Sequence, residues 1–113
     1  RESPLLLLTT IGAKSGQQRT IPLVYTTDAE RLVILASKGG APTHPDWYYN
    51  MLANPHVTVE VGDERFQTTA EFAEGPERER LFAQMAAAMP FFARYQRETS
   101  RQIPVVILKR PGA

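Results

Sequence analysis

The sequence predicts an antiparallel α+β domain built on a small barrel, on three observations. Short strand-like segments follow one another as hairpins, with turn residues between most of them. An alternating βαβ series and a Gly-x-Gly-x-x-Gly fingerprint are both missing, which removes a doubly wound dinucleotide-binding sheet. The 113 residues, with no cysteine and nine prolines, are expected to form a single domain. A chain of that size buries roughly 65% of the surface its unfolded form exposes and needs no disulfide or structural metal.

The elements follow in order. Pro4 to Ile11 is an apolar run whose length favours a strand, and Gly12 ends it. Gly12 to Gln18 is a polar loop, and Arg19 to Thr26, β-branched and containing Tyr25, reads as the partner strand of a hairpin. Asp28-Ala29-Glu30 makes a turn into Arg31 to Ala36, a third strand whose continuous apolar character implies burial on both faces. Ser37 to His44, with Gly39-Gly40 and Pro42, is too rich in breakers for regular structure. Pro45 then suits the first turn of a helix that runs through Trp47 to about Leu52 and is closed by Asn54-Pro55.

Val57, Val59 and Val61 alternate with Thr58 and Glu60, Gly62-Asp63 fits the centre of a tight turn, and Phe66, Thr68, Ala70 and Phe72 alternate on the return. Gly75-Pro76-Glu77 opens a helix on which Leu81, Met85 and Met89 recur every fourth residue. Pro90 breaks it, and Phe91 to about Arg101 continues as a second helix with Phe92 and Tyr95 on one side. Ile103 to Leu108 is the last strand, where Pro104 assigns its first end to a sheet edge or bulge. The count is six strands and about three helices.

Several function classes drop out. His44 and His56 are the only imidazoles and form no His-x-x-x-His or Glu-x-x-His pair, so no metal site is expected. A net charge of +1 lacks the marked cationic excess of nucleic-acid binders. The longest apolar run is far below the ~20 residues of a membrane span, and no leader precedes it; the chain reads as cytoplasmic. It opens at Arg1 directly before a strand-like segment, from which an N-terminal segment is expected to be missing. Gly12-Ala-Lys-Ser-Gly16 lacks the leading glycine of a phosphate-binding P-loop, and no Gly-x-Ser-x-Gly elbow is present.

Charge distribution says more than charge total. Between Glu2 and Asp28 the only ionisable side chains besides Tyr25 are Lys14 and Arg19, and between Arg31 and Asp46 the only added cation is Lys38, with no acid. If the hairpin and the next strand lie side by side, Lys14, Ser15 and Arg19 converge with Ser37, Lys38 and the amides around Gly39-Gly40, a set that suits an anion. The alternative is a pair of ordinary exposed turns. Pro45-Asp-Trp-Tyr-Tyr-Asn50 adds flat aromatic surface behind that bend, although Trp47 packed on the core would read the same way. Phe91, Phe92 and Tyr95 form a second aromatic wall or simply the inner face of a helix. Arg94, Arg97 and Arg101 form a basic stripe, read as a solvated face with weak membrane contact as the alternative.

Taken together, Leu7-Leu-Thr-Thr-Ile-Gly-Ala-Lys-Ser-Gly-Gln-Gln-Arg-Thr-Ile-Pro-Leu23, Ala36-Ser-Lys-Gly-Gly-Ala-Pro-Thr-His-Pro-Asp-Trp-Tyr-Tyr-Asn50, Ala53-Asn-Pro55 and Ile103-Pro-Val-Val106 resemble the deazaflavin-dependent nitroreductase family across nearly the whole chain. The resemblance implies a split β-barrel related to flavin-binding folds. It also implies use of coenzyme F420, a deazaflavin whose phosphodiester carries a lactyl-oligoglutamate tail. Carried over by position, the implied cofactor contacts are Ala13, Lys14 and Ser15; Arg19, Thr20, Ile21, Pro22, Leu23 and Val24; Leu35, Ala36, Ser37 and Lys38; and Asp46, Trp47, Tyr48, Tyr49 and Asn50. Phe92 is implied to flank the reaction pocket.

Some members carry arginine where this chain has Ala13, and tyrosine at Val24, Met89 and Phe92, so fewer phenols are available to bind a nitro or carbonyl group. The implied reaction is hydride transfer from reduced F420 to an electron-poor enone, quinone or nitroaromatic, with Ser37 or Tyr95 relaying a proton. Two alternatives stand beside it. An FMN enzyme on the same barrel would leave Lys14 or Lys38 without a partner, and a non-catalytic protein would merely store the deazaflavin.

Overall fold

Alternation along Leu5–Ile11 turns Leu6, Leu8 and Thr10 inward and leaves Leu5 and Leu7 exposed, and this run forms β1 in the computed structural model, which describes residues 4–112. The chain start at Arg1, with the expectation of a missing upstream segment, lies outside the described residues. β1 pairs antiparallel with β2 (Gln18–Val24), so that Leu8 faces Ile21 and Thr10 faces Arg19. On its other side β1 meets β5 (His56–Val61), which turns through Gly62 and Asp63 into β6 (Glu64–Thr69). Gly62 has φ of +60°, the left-handed conformation that a two-residue hairpin turn requires. Pro22 is tolerated because β2 is an edge strand of the sheet ordered β2-β1-β5-β6.

The second sheet comprises β3 (Thr26–Asp28), β4 (Arg31–Leu35), β8 (Val105–Lys109) and β7 (Glu71–Phe72), in the order β3-β4-β8-β7. The helices are α1 (Asp46–Ala53), α2 (Gly75–Ala88) and α3 (Phe91–Arg97), and a single 3₁₀ turn covers Lys38–Gly40. The α+β class and antiparallel pairing are as expected, but six strands become eight. Tyr25 interrupts one expected strand and Ala70 the other, and each break hands the chain from the first sheet to the second. Their amides are satisfied outside the ladders, Tyr25 N–H by the Pro4 carbonyl (3.2 Å) and Ala70 N–H by that of Pro55 (2.8 Å).

Two cores meet at β4 and β8. Leu32, Ile34, Val106 and Leu108 pack with Leu6, Leu8, Val59, Trp47 and Met51. Val33, Leu35, Val105 and Ile107 face the opposite way, onto Leu81, Met85, Met89 and Phe92 of the α2–α3 layer. Burial on both faces is why these strands are apolar without alternation, each fully buried Leu or Ile contributing about 1.5–3 kcal/mol.

Two expectations need correction. β8 is central, between β4 and β7; Pro104 precedes the strand, and its carbonyl accepts the Ala36 N–H at 3.0 Å, so the missing proline N–H costs the ladder nothing. α3 ends at Arg97 rather than near Arg101, because Gln96 draws the chain back, its Nε2 donating to the Arg101 carbonyl (2.8 Å) and its Oε1 accepting the Ile103 N–H (3.0 Å).

Candidate functional site

The 12–17 loop is built by its own hydrogen bonds. Gly12 N–H donates to the Gln17 carbonyl (2.7 Å), Gly16 N–H to the Gly12 carbonyl (2.9 Å) and Gln17 N–H to Ser15 Oγ (3.1 Å). Glycine at position 12 leaves room for the Ser15 side chain: a Cβ there would lie 2.6 Å from Ser15 Oγ, so Ser15 would have to shift. The closed loop presents Ala13, Lys14 and Ser15 to solvent. α1 fixes its position. Asn50, buried on that helix, accepts the Ala13 N–H on Oδ1 (2.9 Å) and donates from Nδ2 to Thr10 Oγ1 (3.1 Å).

Between this loop and α1 lies a cleft of about 760 Å³, lined by Gly12, Ala13, Lys14, Ser15, Arg19, Ile21, Asp46, Trp47, Tyr49 and Asn50. Lys14 and Arg19 make no ion pair among the described residues. The cleft therefore combines two uncommitted cations, a hydroxyl, one carboxylate, the exposed ring of Tyr49 and the small part of the core residue Trp47 that reaches the surface. Such a surface can hold an elongated anion that carries an aromatic ring.

Nine expected contacts thus lie together, and the others do not line this cleft. The pleat of β2 sends Arg19 and Ile21 toward it and Thr20 away, where its hydroxyl pairs with that of Thr9 at 2.7 Å; Pro22 and Val24 follow Thr20. Leu23 packs against the first core. Tyr48 lies off the cleft, its ring 4.7 Å from His44 and 5.6 Å from Phe72, and burial with Tyr49 alongside pushes its phenol above the ordinary value. Phe92 is buried in the second core, under α3.

Leu35 and Ala36 are also buried side chains, which leaves only their backbone for a ligand. Ser37 and Lys38 sit on a separate bend, where Lys38 Nζ donates to Thr43 Oγ1 (3.3 Å), so the expected convergence of all three cations is only half realised. Neither Ser37 nor Tyr95 lines the cleft.

Arg101 was expected on a solvated basic stripe, and the structure turns it inward. Its guanidinium donates to the carbonyls of Ala36, Ser37 and Ala41. Only Arg94 and Arg97 remain exposed, which leaves less cationic surface on α3 for a membrane. No described helix is long and apolar enough to cross one. Among the described residues no cluster of three or more His, Asp or Glu is placed to hold a metal.

The model of the family described as F420H(2)-dependent quinone reductase matches residues 1–110. An F420H(2)-dependent quinone reductase of Mycobacterium tuberculosis (strain ATCC 25618 / H37Rv) is 44% identical over 110 residues, which is 95% of this chain and 74% of that protein. The solved structure of an F420-H2 dependent reductase, FDR-A, superposes with a TM-score of 0.86 at 45% identity over 94% of each chain. A Listeria innocua structure described as a pyridoxamine 5'-phosphate oxidase shares the fold alone, with a TM-score of 0.66 at 16% identity over 93% of this chain and 82% of its own. That likeness makes the two-sheet architecture an FMN-binding split-barrel-like one.

Proposed function

The chain belongs to the F420H(2)-dependent quinone reductase family, and we propose that the cleft between the 12–17 loop and α1 is where it holds coenzyme F420. It is an oxidoreductase that passes a hydride from reduced F420 to an electron-poor acceptor, with quinones as the acceptor class. The observation that carries the placement is the meeting of Lys14 and Arg19, free of ion pairs among the described residues, with Trp47 in one cleft.

The donor set fits the group. A volume of about 760 Å³ suits a ligand of this size. Lys14, Ser15 and Arg19 would hold the phosphodiester and the tail carboxylates. Ile21, Trp47 and Tyr49 would cover the apolar part, and Asn50 ties the loop to α1 through its bond to Ala13. When bound, reduced F420 supplies a hydride from its carbon five, and the protein contributes orientation and exclusion of water.

Quinones and enones rank above nitro compounds in this reading. Val24, Met89 and Phe92 stand where some members carry tyrosine, and all three pack in or against the second core, so none offers a phenol to a nitro group. The proton that completes the product comes from water, because neither Ser37 nor Tyr95 reaches the cleft. Absorbance traces of reduced-cofactor oxidation by a quinone, run beside reduced FMN and NADPH, test the reading: turnover is expected with F420H2, and equal turnover with reduced FMN overturns it.

A further inference from the structure

The 36–44 bend has little regular structure, yet one side chain organises it. Arg101, past the end of α3, donates from Nε to the Ala41 carbonyl (2.9 Å), from Nη1 to the Ala36 carbonyl (3.1 Å) and from Nη2 to the Ser37 carbonyl (2.7 Å). Its Nη1 also lies 2.8 Å from His44 Nδ1. A guanidinium only donates, so this ring nitrogen is the bare acceptor and the imidazole is neutral, with its proton on Nε2. Four acceptors spread over the bend thus converge on one planar fork, a pattern that a lysine ammonium does not reproduce.

α3 braces the same bend from another direction. A Cβ on Gly40 would stand 3.2 Å from the backbone of Tyr95, and Lys38 holds a left-handed φ of +47°. A residue in that conformation persists only where its surroundings hold it there. The bend is therefore imposed by its contacts.

We infer that Arg101 and His44 are positioning residues for hydride transfer: the Arg101 fork, capped by neutral His44, fixes the bend that leads into α1 and holds His44 against the Tyr49 ring (5.7 Å), which lines the cleft and would orient the deazaflavin ring. The inference rests on the proposed placement of F420. It also carries a pH dependence. Burial and, second, the Arg101 charge hold His44 below its ordinary value of 6.5. The other groups facing His44 are the rings of Tyr48 and Tyr49, with Glu74 and Arg78 on the wall of a hollow that His44 itself lines. Protonating His44 removes the acceptor and sets a second cation against Arg101. Because the folded value is depressed, the clamp is complete above about pH 6.5 and is lost as pH falls through that lower value.

The test compares wild type with Arg101→Lys and His44→Asn, after thermal melts confirm folding. Affinity for oxidised F420 and for its tail-less ring nucleoside is measured by fluorescence, and kcat/KM with a quinone is followed across pH. Arg101→Lys should weaken both ligands about tenfold, because the lost contacts orient the ring. Asparagine keeps an acceptor where Nδ1 was and does not titrate, so the fall of kcat/KM on acidification below the ordinary imidazole range should flatten. Wild-type affinity for the ring nucleoside in Arg101→Lys, or an unaltered acid limb in His44→Asn, overturns the inference. Failure of the cleft placement reads out separately, as unchanged F420 affinity in Arg19→Ala.

Discussion

Asn50 and Ala13 are joined across 37 positions of sequence: the helix side chain accepts the loop's backbone N–H at 2.9 Å, and the same amide donates to the buried Thr10 hydroxyl. One residue therefore ties α1 to the loop that forms the opposite wall of the cleft. A ligand held between those walls depends on a side chain that spends its hydrogen bonds on the protein.

Asn50→Ala should accordingly cost about 1–3 kcal/mol, since it leaves a backbone N–H and a buried hydroxyl short of partners. Thermal or urea unfolding reads that loss. F420 affinity should fall in the same variant, because the 12–17 loop loses its anchor to α1.

Gly12→Ala tests the loop from within. The new methyl group would lie 2.6 Å from Ser15 Oγ and 3.3 Å from the Gln17 carbonyl, so Ser15 must move. Weaker F420 binding is expected in a folded protein, and Gly12→Ala/Ser15→Ala should recover part of it by removing the nearer clash. A fluorescence titration of the two variants beside wild type decides.

Much of this architecture can be read from residue order. The hairpin of β5 and β6 is legible because alternating valines and Gly62-Asp63 specify register, and Val61 indeed faces Glu64. The two-sided burial of β4 follows from its unbroken apolar run. The sheet changes at Tyr25 and Ala70 are not legible, since a one-residue break inside an alternating run disturbs no pattern.

The site divides in the same way. The polar loop and the aromatic helix announce themselves by composition, but which side chains of β2 and α1 face the cleft depends on pleat and helix phase, which put Thr20 and Tyr48 outside it. Arg101 was hidden because helical spacing continues from Arg94 and Arg97, and only the early end of α3 turns it inward.

Away from the cleft, Asp28 joins the β3–β4 turn to α2 through Arg80, at 3.0 Å, and through Arg31, which also reaches Glu77. Hydrogen bonds from Arg80 and then Arg31 hold the Asp28 carboxyl far below the ordinary carboxylate range. A depressed folded value stabilises the protein above about pH 4 and ceases to do so as pH falls through that lower value. Asp28→Asn should lower the melting temperature at neutral pH, and the gap from wild type should close as both are acidified. A gap that stays constant down to about pH 2 would contradict this.

The most direct measurement is a fluorescence titration of oxidised F420, and of its tail-less ring nucleoside, into wild type, Lys14→Ala and Arg19→Ala over a range of salt concentrations. Each exposed cation should contribute about 0.5–1 kcal/mol, a loss of roughly two- to fivefold per variant for the full cofactor. That loss should shrink as salt rises and be absent with the nucleoside. Unchanged affinity for F420 in both variants, or equal losses with the nucleoside, would contradict the placement of the cofactor's anionic tail between these side chains.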